Sequence, residues 1–317
     1  MSARILTVTL NPAIDVTYRV PRLEIGETVR VPGVRIRAGG KGVNVAAVAR
    51  SLGSDSLVLG LTQILEPDEF RAGLDRLGLP HRLVPALDSV RRTVAVVEDD
   101  GTTTSLQEHG PAAAAGAEIG IQRVLRTELV TGAGAVVVSG SVPPGLDADV
   151  PARLVALATA VGVPVIADVS GPALRAVATA GAVLMPNRDE LGELLGAPVR
   201  SPGDVVAAGR HLVRDGAAAL VATLGEEGAV AVTPGGDWSV RPFTRVTGNP
   251  TGAGDAAAAA LARHLAAAGE VSGVDWPTAL ADVVATAAAA VLRPVAGEVD
   301  LEARATWLVA LTTKESV

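Results

Sequence analysis

Short apolar runs alternating with amphipathic stretches set the rhythm of this chain. Ala135–Ser139, Val163–Asp168, Ala182–Met185 and Ala219–Thr223 are each nearly continuous in apolar residues, and each leads through a Gly- or Pro-marked turn into a helical pattern. Runs apolar on both faces suit strands covered by helices on both sides. The order therefore predicts an α/β fold with a largely parallel central sheet, Met1 to Leu10 supplying its first strand. In such sheets ligands gather where strands end, so chemistry is expected in the turns that follow them.

Two segments break this rhythm. Residues 15–37 and 91–107 alternate apolar with polar or charged positions, as in Val29, Val31, Val34 and Ile36 or Val94 and Val96, and lack a helical period. They are expected to form exposed antiparallel strands, a small β-lid inserted into one domain spanning residues 1–317. Asp99 and Asp100 before Gly101 read as the turn of a hairpin in this lid. No Pro/Ser-rich linker, charge block or solenoid-period repeat divides the chain. The alanine runs Ala256–Ala260 and Ala287–Ala290 sit in helical patterns, the first expected to extend to His264.

Composition sharpens the picture by exclusion. The 317 residues are 49% hydrophobic with a formal net charge of −7, enough to bury a core and unfavourable to general nucleic-acid binding. The absence of cysteine excludes disulfides, thiolate zinc sites and cysteine catalysis, and fits a reducing compartment. No targeting pattern and no apolar run long enough to span a membrane is present, so a cytoplasmic location with no membrane partner is expected. Of 27 basic residues only Lys41 and Lys314 are lysine. Arginine replaces lysine everywhere, which reads as codon bias and makes the one internal lysine worth attention. The four histidines are scattered without metal-ligand spacing.

Chemistry concentrates in glycine-marked turns. Thr251-Gly252-Ala253-Gly254-Asp255 opens an alanine-rich helix, where free amides favour an anion and an aspartate at its edge can take a proton from an attacking hydroxyl; alternatively Asp255 only complements the helix dipole. Gly39-Gly40-Lys41-Gly42-Val43-Asn44 opens a second helix to about Leu52. Its spacing is not that of a Walker A loop, but it offers flexible backbone, one cation and an amide side chain for a ligand with hydroxyls and an anionic group. Asn187 with Glu190 reads as a capping box, or as a carboxylate near a metal-bound phosphate, and the two roles are compatible. Thr223-Leu-Gly-Glu-Glu-Gly228 and Ser139-Gly-Ser-Val-Pro-Pro-Gly145 are further turns at strand ends.

Taken in order, these motifs resemble those of the ribokinase-like carbohydrate kinases, and more closely their phosphofructokinase B branch. The residues that carry the resemblance are TLNPAID from Thr9, GGKGVNVA from Gly39, SGSVPPG from Ser139, PNRDEL from Pro186, TLGEEG from Thr223 and NPTGAGDA from Asn249. They run through essentially the whole chain. The resemblance implies a three-layer ribokinase-like fold and ATP-dependent phosphoryl transfer, with magnesium, to a primary hydroxyl of a ketohexose phosphate. Fructose 1-phosphate is the first expectation, with tagatose 6-phosphate or fructose 6-phosphate as alternatives and a non-catalytic sensor on the same fold as a rival of another class.

By the same resemblance Asp255 would be the general base and Gly252, Ala253 and Gly254 the anion hole. Asp15, Gly39, Gly40, Lys41, Asn44, Arg92 and Ser139 would hold the sugar phosphate. Asn187, Thr223, Gly225 and Gly228 would meet ATP, Glu190 the magnesium, and residues 289–297 would close over the adenine. A homodimer through the β-lid is implied, Val29, Val31 and Val34 being apolar on exposed strands. Two departures stand out: Met185 replaces a usual lysine, and a second lid arginine near Ser105 to Gln107 is missing, leaving Arg30, Arg35 and Arg37 as substitutes.

Overall fold

The computed structural model describes residues 3–312. Its strands begin with β1 (Arg4–Thr9), β2 (Ala13–Val20), β3 (Val34–Gly39), β4 (Ser56–Gln63), β5 (His81–Leu87), β6 (Arg91–Glu98) and β7 (Thr103–Gln107). The series continues with β8 (Ala133–Ser139), β9 (Val165–Asp168), β10 (Val183–Leu184), β11 (Ala219–Thr223), β12 (Ala229–Thr233) and β13 (Gly236–Val240). Nine of them form one sheet in the order β13-β12-β11-β10-β9-β8-β1-β4-β5. Every pair from β11 to β5 is parallel, and only β12 is reversed, pairing antiparallel with β11 and with the edge strand β13.

The pleat explains the runs. On β1 and β8, Leu6, Val8, Val136 and Val138 pack into one hydrophobic cluster, and Ile5, Ala135 and Val137 into the other, on the opposite face. The first face is covered by helices that include Ala117–Gly132, Val150–Thr159 and Pro202–Arg214, the second by Lys41–Ser51, Ala253–Ala268 and Trp276–Val291. Alanine-rich helices let backbone approach backbone, so Ala256–Ala260 are all fully buried. The helix expected to stop at His264 runs on to Ala268, where Gly269 ends it in the left-handed conformation, φ 77°.

The lid is a separate sheet of order β3-β2-β6-β7. Its outer pairs are antiparallel as expected, but the central pair, β2 with β6, is parallel. The expected continuous strand over 15–37 is interrupted as well. Residues 21–33 form no strand, because Pro21, Pro32 and two glycines interrupt it, and Val29 and Val31 lie there. The lid base rests on its own small core, in which Ile14, Val16 and Ala38 meet Val43, Ala46, Phe70 and Leu74. Phe70 is fully buried there. Truncation to alanine should cost about 3–5 kcal/mol of unfolding free energy, read from urea melts.

Candidate active site

Where β1, β8, β9 and β11 end, the N-termini of the helices Lys41–Ser51 and Ala253–Ala268 meet them, and the lid folds over the junction. The cleft enclosed is about 480 Å³ and continues into a second, more apolar one of about 630 Å³, with Asn187, Thr223 and Gly254 lining both. The first is walled by the lid through Asp15, Arg91, Thr93, Ser105 and Gln107.

Asp255 sits at the boundary, 5% exposed, with Asn44 Nδ2 donating to its Oδ2 at 2.8 Å. Burial, reinforced by the negative charge of Asp168, lifts its pKa to about 7 against the pull of Lys41 and the Asn44 hydrogen bond. A carboxyl in that range exchanges protons near neutral pH. Gly252 caps the helix at φ 85°, and a Cβ there would stand 2.7 Å from that of Ala296, so only glycine fits. Gly252 and Gly254 line the first cleft, but the Ala253 amide donates to the Pro250 carbonyl at 3.1 Å. That bond takes Ala253 out of the expected three-amide anion hole.

Lys41 lines the first cleft, as expected, and there it stands within a carboxylate cluster. Its Nζ lies 3.0 Å from Asp168 Oδ1 and 3.8 Å from Glu190 Oε1. Burial opposes the charge, but Asp168, Glu190 and Asp255 outweigh it and hold the ammonium above the ordinary lysine range. Glu190 accepts the Asn187 amide at 2.9 Å while Asn187 Oδ1 accepts the Glu190 amide at 2.9 Å, the full capping box. The other oxygen of Glu190 remains turned to Lys41, so capping and cleft-facing coexist.

Asp15 accepts a short hydrogen bond from Thr93 Oγ1, and burial raises its pKa against that bond and the charges of Arg37 and Arg91. Gly39 makes room for it, since a Cβ there would collide with the carboxylate. Gly40 caps the next helix at φ 98°.

Two expected contacts fall elsewhere. Because β6 pairs with β2 in parallel, Arg91 and Thr93 share the face of Ala13 and Asp15, whereas Arg92 shares that of Ile14 and pairs outside with Glu69 at 2.9 Å. Arg91 is therefore the lid arginine in the cleft. Ser139 is buried behind the wall, donating to Asp168 Oδ2 at 3.0 Å, while Ser141 lines the cleft and receives a bond from Asn11 Nδ2 at 2.9 Å.

The second cleft is lined by Thr223, Gly225 and Gly228, with Val283, Ala287 and Val291 of the helix Trp276–Val291. Gly228 is forced, since a Cβ would strike the Val240 carbonyl. Of residues 289–297 only Val291 reaches this cleft, and Val295 and Ala296 wall the first. Met185 faces neither, being 3% exposed within the core. Asp168 joins the site without a motif of its own, its one local signal being an acid that closes an apolar strand run.

A model of the pfkB family carbohydrate kinases matches residues 7–304. The chain is 36% identical to a 1-phosphofructokinase of Xanthomonas campestris, over 84% of this chain and 85% of that protein. It is 32% identical to an ATP-dependent 6-phosphofructokinase isozyme 2 of Mycobacterium tuberculosis, over 81% of this chain and 76% of that one. Among solved structures, phosphofructokinase-2 of Escherichia coli superposes with a TM-score of 0.88 at 25% identity, covering 98% of this chain and 99% of its own. With this architecture and a family match running almost from end to end, the chain belongs to the pfkB family of carbohydrate kinases.

Proposed function

We propose that this kinase transfers the γ-phosphoryl group of ATP to a primary hydroxyl of fructose 1-phosphate, forming fructose 1,6-bisphosphate. The observation that carries the reading is Asp255, buried with a pKa near neutrality at the head of a glycine-capped helix, where a polar cleft meets an apolar one. Asp255 takes the acceptor proton while the Gly252 and Gly254 amides face the transferring group. Asp15 and Asn44 fix sugar hydroxyls, and Arg91, held in place by its Nε and Nη1 bonds to the Asn11 and Glu108 carbonyls, offers its charge and Nη2 to the acceptor's own phosphate. Thr223, Gly225 and Gly228 track the nucleotide, and the valine and alanine side chains of the second cleft receive its base.

Magnesium fits the donor set. Asp168 and Glu190 offer the one or two carboxylates that this hard ion takes beside phosphate oxygens, and Lys41 between them adds a fixed positive charge. Held there, such an ion would supply positive charge to offset that developing on the phosphates. We further infer one domain with an inserted lid, in a cytoplasmic homodimer. Val34, Ile36 and Leu106 are exposed on the lid and offer an apolar contact for a second copy.

A coupled ADP-release assay over fructose 1-phosphate, fructose 6-phosphate, tagatose 6-phosphate and the free sugars tests the reading. Fructose 1-phosphate should show the highest kcat/KM. Fructose 6-phosphate in first place would support the second reading that the mycobacterial relative favours. Ligand binding without turnover on any sugar would mean a sensor. Within the same assay Arg91→Met should raise the KM of the phosphorylated acceptor about tenfold to a hundredfold, the worth of a charge-assisted hydrogen bond. Arg92→Met, tied to Glu69 outside the cleft, should leave KM within about twofold.

A further inference from the structure

A guanidinium outside the reacting centre joins its two halves. On β3, Arg37 lies directly across from Asp15 of β2. Its Nη1 leaves the lid and donates to the carbonyl of Ala296 at 2.5 Å, a contact between residues 259 positions apart. Its Nε donates to Ala38 O at 3.3 Å, and its Nη2 is buried without a partner. Half-buried and incompletely paired at its sealed Nη2, this charge adds little to stability, and an apolar side chain of similar volume would fill the wall at lower cost. What it reaches gives the placement a purpose.

The loop 294–297 grips the turn in front of Asp255. Ala296 packs on Gly252 so closely that no Cβ fits between them, and Asn249 Nδ2 donates to the Pro294 carbonyl at 3.1 Å. A continuous path thus runs from Asp15, paired with Arg37 in the β2–β3 register and lying in its field, through Arg37 and Ala296 to Gly252 and the start of the helix that carries Asp255. We propose that Arg37 is a positioning residue that couples the lid to the phosphate end of the cleft, so that acceptor binding on Asp15 sets the geometry of the Gly252–Asp255 turn. This rests on the kinase reading. Arg37 lies behind the wall and touches no reacting atom. Its effect is on the coupling between the two substrates.

The test is the dependence of the ATP KM on acceptor concentration, with kcat measured alongside, in the full-length enzyme. Wild type should bind ATP more tightly at saturating fructose 1-phosphate than at low acceptor. Arg37→Met should abolish that dependence and lower kcat about tenfold to a hundredfold, as expected for a lost charge-assisted hydrogen bond. Arg37→Lys, which keeps one donor and the charge, should recover part of both. Gly297→Ala supplies a second route: its Cβ would lie 2.8 Å from Arg37 Nη2 and 2.9 Å from Asn44 Oδ1, displacing the guanidinium without removing it. It should uncouple the substrates in the same way. Intact coupling with kcat within about twofold in Arg37→Met overturns the proposal whatever Gly297→Ala does, since the added Cβ also presses on Asn44. A lowered melting temperature with intact coupling also overturns it, since the role is then structural only. Absence of turnover in wild type with every sugar phosphate would instead fail the kinase reading, and the coupling role with it.

Discussion

Asp255→Asn is expected to lower kcat by about 10²–10⁴-fold, the usual contribution of a positioned general base, with ATP affinity nearly unchanged. The side chain is the one carboxylate on the helix turn of Gly252 and Gly254, and Asn44 fixes its orientation through Oδ2. Asparagine is close to isosteric but cannot accept the acceptor's proton. Calorimetric titration with ATP separates the loss of chemistry from loss of the site. Near-normal turnover in the variant would remove Asp255 from the role of base.

The pH profile gives the same residue a second readout. Its pKa is raised to about 7, so the carboxyl is protonated and idle below that point and log kcat should climb with unit slope before levelling above it. In Asp255→Asn this limb should vanish. Linkage fixes the sign for stability. A folded pKa above the unfolded one means that the native state holds the proton more tightly, so this site's contribution to stability falls as pH rises from about 4 through 7. Asparagine carries no such penalty, and the variant should melt no lower than wild type at pH 8.

The glycine-rich turns, the capped helix at Asn187 and the parallel sheet were readable because each has a local cause: a positive φ, a close approach, a side chain bonding its own backbone, or an apolar run with two covered faces. What failed was non-local. Arg91 and Arg92 are indistinguishable as letters, and only the pairing of β6 with β2 decides which enters the cleft. A slip of one residue exchanges the two faces. Ser139 and Ser141 differ in the same way, one reaching back to Asp168 and the other forward. The parallel centre of the lid was hidden because alternation reports one solvated face and is silent about strand direction. Ala253 is the one local exception, leaving the anion hole through a turn bond to the Pro250 carbonyl three residues earlier. Met185 resolves more simply: its side chain points into the core.

Lys41→Met should be the other severe substitution, lowering kcat at pH 7 by about 10²–10³-fold, as for loss of a preorganised charge facing a phosphoryl group. Two losses combine in it. The ammonium, two-fifths exposed to the cleft, is the fixed cation beside Asp168 and Glu190. Without it the carboxylates of Asp168, Glu190 and Asp255 face one another uncompensated, and like charges disfavour ionisation. Lys41 also pulls the Asp255 pKa down, so its removal must move the acid limb of the kcat profile to higher pH. Part of the lost rate should therefore return as pH rises above 8, which no loss of phosphate contact alone would produce. Lys41→Arg retains the charge and should hold the limb near its original position. It should recover kcat only in part, because a planar fork does not replace a compact ammonium bonded to Asp168. An acid limb unmoved in Lys41→Met would show that Lys41 and Asp255 do not share a field, and the carboxylate cluster would lose its part in tuning the base.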